Sequence, residues 1–132
     1  MDERNKQLTE RFGLAGDVEI SDTRIPRTDG SQLRLRIYRK AHSTEGAAIL
    51  YVRGGGMILS SAEHYDARCM HYCTNTGIPV VAVDYPLAPE HPYPAQLDDI
   101  DTTLQWMLDT ADSSGWSADR IGIVGDSAGG GL

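Results

Sequence analysis

The chain contains 132 residues, 40% of them hydrophobic and 23% charged, which is the composition of an ordinary globular domain. Its formal net charge of −7 argues against nucleic-acid binding, because that function needs clustered lysine and arginine. No apolar run approaches the ~18 residues of a membrane span, and the first residues are too polar for a secretory signal, so we expect a cytoplasmic protein.

The N-terminal third predicts one helix and a pair of antiparallel strands. Residues 1–12 are charged and suit a short surface helix. A strand over 17–26 is followed by an Asp-Gly hairpin turn at 29–30 and by a second strand in which apolar and polar residues alternate. We expect this pair at one edge of a sheet, with the polar side of the second strand, including Arg34 and Arg36, in water.

From residue 47 onward, apolar runs alternate with helical patterns. The runs at 47–52 and 79–83 are short and continuous, as expected of strands covered on both faces. Helices are predicted over 62–76 and about 95–110, and the second helix has an apolar stripe. This stripe consists of Leu97, Ile100, Leu104, Met107 and Leu108. The alternation predicts an α/β fold with a mostly parallel, twisted sheet.

Two cysteines, Cys69 and Cys73, lie four residues apart in the first of these helices. We interpret them as reduced, partly buried thiols. A metal pair completed by His64 or His71 is the less favoured alternative, because zinc sites usually combine a shorter cysteine spacing with a second ligand cluster.

A third apolar run, at 120–124, leads into Gly125-Asp126-Ser127-Ala128-Gly129. The pattern Gly-x-Ser-x-Gly after a strand is typical of a sharp strand-to-helix turn that exposes a serine hydroxyl. We expect glycine at both ends of the pattern because the strand and the following helix come closest there. Ser127 is therefore the candidate nucleophile, and the amide of Ala128 would point toward an oxyanion formed beside it.

Ligands of open α/β sheets bind outside the carboxyl ends of the strands, where this sequence places the loops 53–60, 84–94 and 125–129. The first loop contains Gly54-Gly55-Gly56, and successive glycines let free amides face a cavity, as an oxyanion binder requires. A phosphate cradle is a competing interpretation, but the run lacks the Gly-x-Gly-x-x-Gly spacing and the lysine of a P-loop. A flexible turn is the other alternative.

These segments together resemble the hormone-sensitive-lipase branch of the α/β-hydrolases. The resemblance covers residues 47–132 and rests on the triple glycine, on the serine turn, and on the segment Asp84-Tyr85-Pro86-Leu87-Ala88-Pro89-Glu90-His91-Pro92-Tyr93-Pro94. It implies hydrolysis of a small carboxylic ester with a short or medium acyl chain. By position, it makes Ser127 the nucleophile and the amides of Gly55, Gly56 and Ala128 the oxyanion donors. It gives the loop 86–94, with His91, a structural role.

Two positions depart from the pattern of this family. The family usually has histidine where Arg53 stands and arginine where Pro86 stands. Arg53 brings a fixed charge and a different hydrogen-bond geometry to the loop that would present the amides.

The implied chemistry is acyl transfer through Ser127, and it requires no cofactor or metal. In this fold the carboxylate and the histidine of the triad follow the serine in the chain, and residues 128–132 contain neither. We therefore expect residues 1–132 to form an incomplete α/β-hydrolase domain that is close to inactive alone and leaves its serine strand uncovered. The alternative is a non-catalytic relative that keeps the fold for binding.

Overall fold

A five-stranded mixed sheet forms the centre of the computed structural model, which describes residues 3–11, 13, 16–43 and 46–132. Its strands are β1 (Val18–Pro26), β2 (Gln32–Lys40), β3 (Ala48–Val52), β4 (Val80–Val83) and β5 (Ile121–Gly125). The helices are α1 (Glu3–Arg11), α2 (Asp66–Thr76), which follows a 3₁₀ turn at Ala62–Tyr65, α3 (Ala95–Asp109), α4 (Ala111–Ser114) and α5 (Ala128–Gly131). Residues 1, 2 and 12 of the predicted first helix lie outside the described residues.

The strands are arranged in the order β1-β2-β4-β3-β5. β2 pairs antiparallel with β1 and β4, whereas β3 pairs parallel with β4 and β5. This arrangement confirms the predicted α/β class with an antiparallel N-terminal pair. Because β3, β4 and β5 run in the same direction, the loops that follow them meet at one edge of the sheet.

Helices cover both faces of the sheet. On one face, Leu50, Val81 and Val83 pack with Met107 of α3 and with Trp116. On the other face, strand residues pack with α2, which buries both cysteines as free thiols. Burial raises the pKa of the thiols of Cys69 and Cys73, so both stay protonated near neutral pH.

The polar side of β2 is not in water, so that prediction was wrong. Arg34 pairs with Glu63 and with Asp84, whose Oδ2 lies 2.8 Å from Arg34 Nη2. The Nε of Arg36 donates to Asp66 Oδ1 at 2.8 Å, and Asp66 is fully buried. The carboxylates of Glu63 and Asp66 come from the 3₁₀ turn and from α2. The face of β2 that the alternating pattern assigned to solvent is therefore covered by these elements and carries ion pairs.

Helix α3 also buries a different set of residues from the predicted stripe. Ile100 and Met107 are buried as expected, but Leu97 and Leu108 are more than one third exposed. The buried arc contains the polar residues Gln96, Asp99 and Thr103 instead. Each of these has a hydrogen-bond partner; the Asp99 carboxylate, for example, accepts two bonds of 2.7 Å from the guanidinium of Arg27. Hydrogen-bonded polar side chains can thus occupy core positions that the hydrophobic periodicity assigns to leucine.

Strand β5 lies at the edge of the sheet and pairs only with β3 among the described residues. Its central side chain, Ile123, is 57% exposed, which agrees with the expectation that the serine strand is left uncovered. No helix in the described part of the chain is long and apolar enough to cross a membrane.

Candidate active site

The serine turn has the strained backbone that its sequence pattern predicts. β5 ends at Gly125, and Ser127 adopts φ 52° and ψ −117° before α5 begins. A positive φ is uncommon for a residue with a side chain, and it must be held in place by its surroundings. Ser127 is exposed, and its hydroxyl makes no hydrogen bond with any described residue.

The close approach expected at the two glycines of the motif is confirmed. A Cβ added to Gly129 would lie 2.1 Å from the carbonyl oxygen of Val52, and one added to Gly125 would lie 2.3 Å from the carbonyl oxygen of Gly129. In both cases the added Cβ would meet a main-chain atom, so no side-chain rotation could relieve the contact. The amide of Asp126 also donates to Val52 O at 3.2 Å, which continues the β3–β5 pairing into the turn.

The triple-glycine loop lies directly against the serine turn. A Cβ added to Gly54 would be 3.3 Å from the Cβ of Ser127 and 2.9 Å from the carbonyl oxygen of Asp126. Gly55 has φ 113°, where an added Cβ would also be only 2.3 Å from Leu59 O. The Gly55 carbonyl accepts from the Leu59 amide at 2.9 Å, which closes the loop on itself. The structure thus brings the candidate nucleophile and the predicted oxyanion segment together.

Three amides of the serine turn and of the loop packed against it have no acceptor among the described residues. Among the hydrogen bonds of the described residues, none uses the N–H of Gly55, Gly56 or Ala128. Backbone donors are nearly always satisfied in folded proteins, by water or a ligand if not by the chain itself. Three such donors, in two segments that lie against each other and carry an exposed serine, are suited to binding a negatively charged oxygen.

Asp126, which precedes the serine, is held by two side chains that sequence reasoning did not assign to the site. The Tyr51 hydroxyl donates to Asp126 Oδ2 at 2.6 Å, and Arg68 Nη1 lies 3.2 Å from the same oxygen. Burial and the bond to Asp126 raise the pKa of Tyr51, which keeps the phenol protonated as a donor. The only sequence signal for this contact is a tyrosine inside an otherwise aliphatic strand.

The proline-rich loop packs beside the triple glycine. The Ala88 amide donates to Met57 O at 2.9 Å, which joins the two loops. Gln96 Nε2 donates to Pro86 O at 2.9 Å and to His91 O at 2.6 Å, so α3 holds the loop from behind. Tyr85, which directly precedes this loop, is buried and takes part in the contacts of Arg53 described below.

The four histidines lie on the surface. His42, His64, His71 and His91 are all exposed. His64 Nδ1 is 3.1 Å from the Ser61 hydroxyl, and no group of three potential metal ligands occurs among the described residues.

Comparison with known proteins agrees with this geometry. Residues 49–132 match the family described as alpha/beta hydrolase fold. The chain is 37% identical over 139 residues to ethyl acetate hydrolase of Pseudomonas putida, covering 99% of this chain and 44% of that protein. It is 29% identical over 108 residues to mouse (Mus musculus) hormone-sensitive lipase, covering 82% of this chain and 14% of that protein. The solved structure of esterase LipW from Mycobacterium marinum matches with a TM-score of 0.83 at 34% identity, covering 96% of this chain and 39% of that one.

The sheet, the loops at its carboxyl edge and these matches define an α/β-hydrolase fold. The chain belongs to that family, in the branch of esterases that resemble hormone-sensitive lipase. It spans less than half the length of each of these relatives.

Proposed function

We propose that this chain carries the nucleophile and the oxyanion hole of a carboxylic ester hydrolase. The observation that supports the proposal best is the exposed, strained Ser127 on a turn that lies against the Gly54-Gly55-Gly56 loop. In this loop, the amides of Gly55 and Gly56 have no acceptor among the described residues. The relatives named ethyl acetate hydrolase and esterase point to a small ester as the substrate class.

In the proposed reaction, the Ser127 hydroxyl attacks the ester carbonyl. The amides of Gly55, Gly56 and Ala128 donate to the oxyanion of the tetrahedral intermediate, which collapses to an acyl-serine and releases the alcohol. Water then attacks the acyl-serine, and the acid leaves while the serine is regenerated. No cofactor takes part in this sequence of steps.

The serine needs a general base to take its proton in the first step. In the chain order of this fold, the carboxylate and histidine come after the serine, and residues 128–132 contain neither. We therefore expect residues 1–132 by themselves to hydrolyse esters slowly or not at all.

The test compares the full-length gene product with residues 1–132 in hydrolysis of p-nitrophenyl acetate. Ser127→Ala in the full-length protein is expected to lower kcat/KM by about 10³-fold or more. Ser113→Ala, which removes an exposed hydroxyl on α4, serves as the matched control and should leave kcat/KM unchanged. A fluorophosphonate probe should label Ser127, as located by mass spectrometry of the digested protein.

Two results would contradict the proposal. Full activity of the Ser127→Ala variant would show that Ser127 is not the nucleophile. A folded full-length protein that neither hydrolyses the ester nor reacts with the probe would favour the non-catalytic binding alternative.

A further inference from the structure

Arg53 is a buried charge directly before the triple glycine. Its side chain is 2% exposed, and burial lowers its pKa. A guanidinium is costly to remove from water unless several acceptors receive its N–H groups. The hydrogen-bond acceptors around the guanidinium of Arg53 therefore indicate the role of this residue.

Most of those acceptors are main-chain carbonyls. Nη2 donates to Tyr85 O at 2.7 Å and to Ser60 O at 3.3 Å, and Nη1 donates to Val83 O at 3.3 Å. The carboxylate of Asp84 is farther away, 3.6 Å from Nη1. The guanidinium carbon lies 3.8 Å from the centroid of the Tyr85 ring, in a cation–π contact.

These contacts hold both ends of the loop 53–60 against the segment at the end of β4. The Tyr85 hydroxyl donates to Arg53 O at 2.8 Å, which holds the first residue of the loop. The Arg53 side chain holds the last residue through the Ser60 carbonyl. Ser60 also donates its hydroxyl to Gly54 O at 3.0 Å. The glycine amides lie between these two anchors, and both anchors are attached to the end of β4.

We propose that Arg53 is a positioning residue, which clamps the triple-glycine loop to the end of β4 and so sets the distance between the loop amides and Ser127. The inference rests on the proposed function, since it concerns the accuracy of the oxyanion hole. Lysine cannot replace the clamp, because one ammonium group cannot donate to the carbonyls of Ser60 and Tyr85 and also lie over the Tyr85 ring. Arg53 touches no reacting atom in this scheme and acts only through the main chain.

The test uses the full-length protein with Arg53→Lys, and Arg39→Lys as the matched control. Arg39 also donates to a main-chain carbonyl, Ser114 O at 2.9 Å, and lies over an aromatic ring, that of Trp116, but on β2 away from the loop. We expect Arg53→Lys to lower kcat for p-nitrophenyl acetate by about 10–100-fold with KM within about twofold, because misplaced oxyanion donors weaken only the transition state. Affinity for a trifluoromethyl ketone, which forms an oxyanion on Ser127, should fall by a similar factor. Arg39→Lys should change neither quantity.

A second variant covers the case in which Arg53→Lys does not fold. Tyr85→Phe keeps the ring under the guanidinium and removes only the hydroxyl that holds Arg53 O. We expect kcat to fall by roughly threefold to tenfold, again with little change in KM.

The two proposals fail in different ways. If the wild-type protein hydrolyses esters through Ser127 but Arg53→Lys and Tyr85→Phe keep the wild-type kcat, the clamp is wrong and the proposed function stands. A fall in kcat that merely follows loss of folded protein, with unchanged affinity for the ketone, would also overturn the clamp. If the wild-type protein has no activity and no probe labelling, the proposed function fails, and the clamp fails with it.

Discussion

Gly129→Ala tests the packing of the serine turn directly. The new Cβ would lie 2.1 Å from Val52 O and 2.6 Å from Arg53 O, whereas real Cβ atoms essentially never approach closer than 3.0 Å. The turn must therefore move away from β3 by about 0.9 Å. Overpacking usually costs about 1–3 kcal/mol when side chains can adjust. Because the new Cβ meets main-chain atoms here, we expect the free energy of unfolding to fall by about 3 kcal/mol, the upper end of that range.

The matched control is Gly122→Ala, in the preceding strand. A Cβ added there meets nothing within 4 Å, and replacing glycine by alanine at an unstrained site stabilises by about 0.4–1 kcal/mol through the unfolded state. Urea unfolding followed by circular dichroism should place the Gly129→Ala midpoint lower by roughly 1 M or more, since m is about 1–3 kcal/mol per M. Ester hydrolysis by Gly129→Ala should be lost even where the protein is folded. Equal midpoints for the two variants would refute this account of the turn.

Three further outcomes are expected. Tyr51→Phe removes the donor to Asp126 and should destabilise the protein by about 1.5–3 kcal/mol in urea unfolding; a change below about 0.5 kcal/mol would contradict the hydrogen bond. The hydrogen-bonded ion pair with Arg34 lowers the pKa of the Glu63 carboxyl below its ordinary value of about 4.3. The pair therefore stabilises the folded protein fully above about pH 5, and this stabilisation is lost as the pH falls further. Urea midpoints should thus depend less on pH between 3 and 7 in Glu63→Gln than in the wild type. Cys69 and Cys73 should react with a thiol reagent only after unfolding, and rapid reaction of the native protein would show that the thiols are accessible.

The sequence predicted the layered fold well because the signals for it are local. Short apolar runs identified β3 and β4, and Gly77 ends α2 in the left-handed conformation expected of a helix-terminating glycine. The serine turn could also be predicted from the sequence, since its two glycines and the strained Ser127 lie within five consecutive residues. The adjacency of the serine to the triple glycine followed from the rule that parallel strands present their carboxyl ends at one edge.

The interactions that sequence did not predict depend on partners that are far apart in the chain. Arg34 meets Asp84, 50 residues away, and Asp99 meets Arg27, 72 residues away. Hydrophobic periodicity cannot predict such pairs, because a charged residue occupies the same position in the pattern whether its side chain faces water or an opposite charge. The contacts of Arg53 were hidden for the same reason: the sequence marked the residue as unusual, but its acceptors are main-chain carbonyls that have no sequence signature.

The strand order has a consequence for how the protein assembles during synthesis. Four of the five strands lie within residues 18–83 and can form a continuous sheet as soon as they leave the ribosome. The fifth joins after these four, through a pairing with β3 that spans about 70 residues of chain. The serine turn would thus reach its position only after the nascent chain has formed the four-stranded platform that orients it.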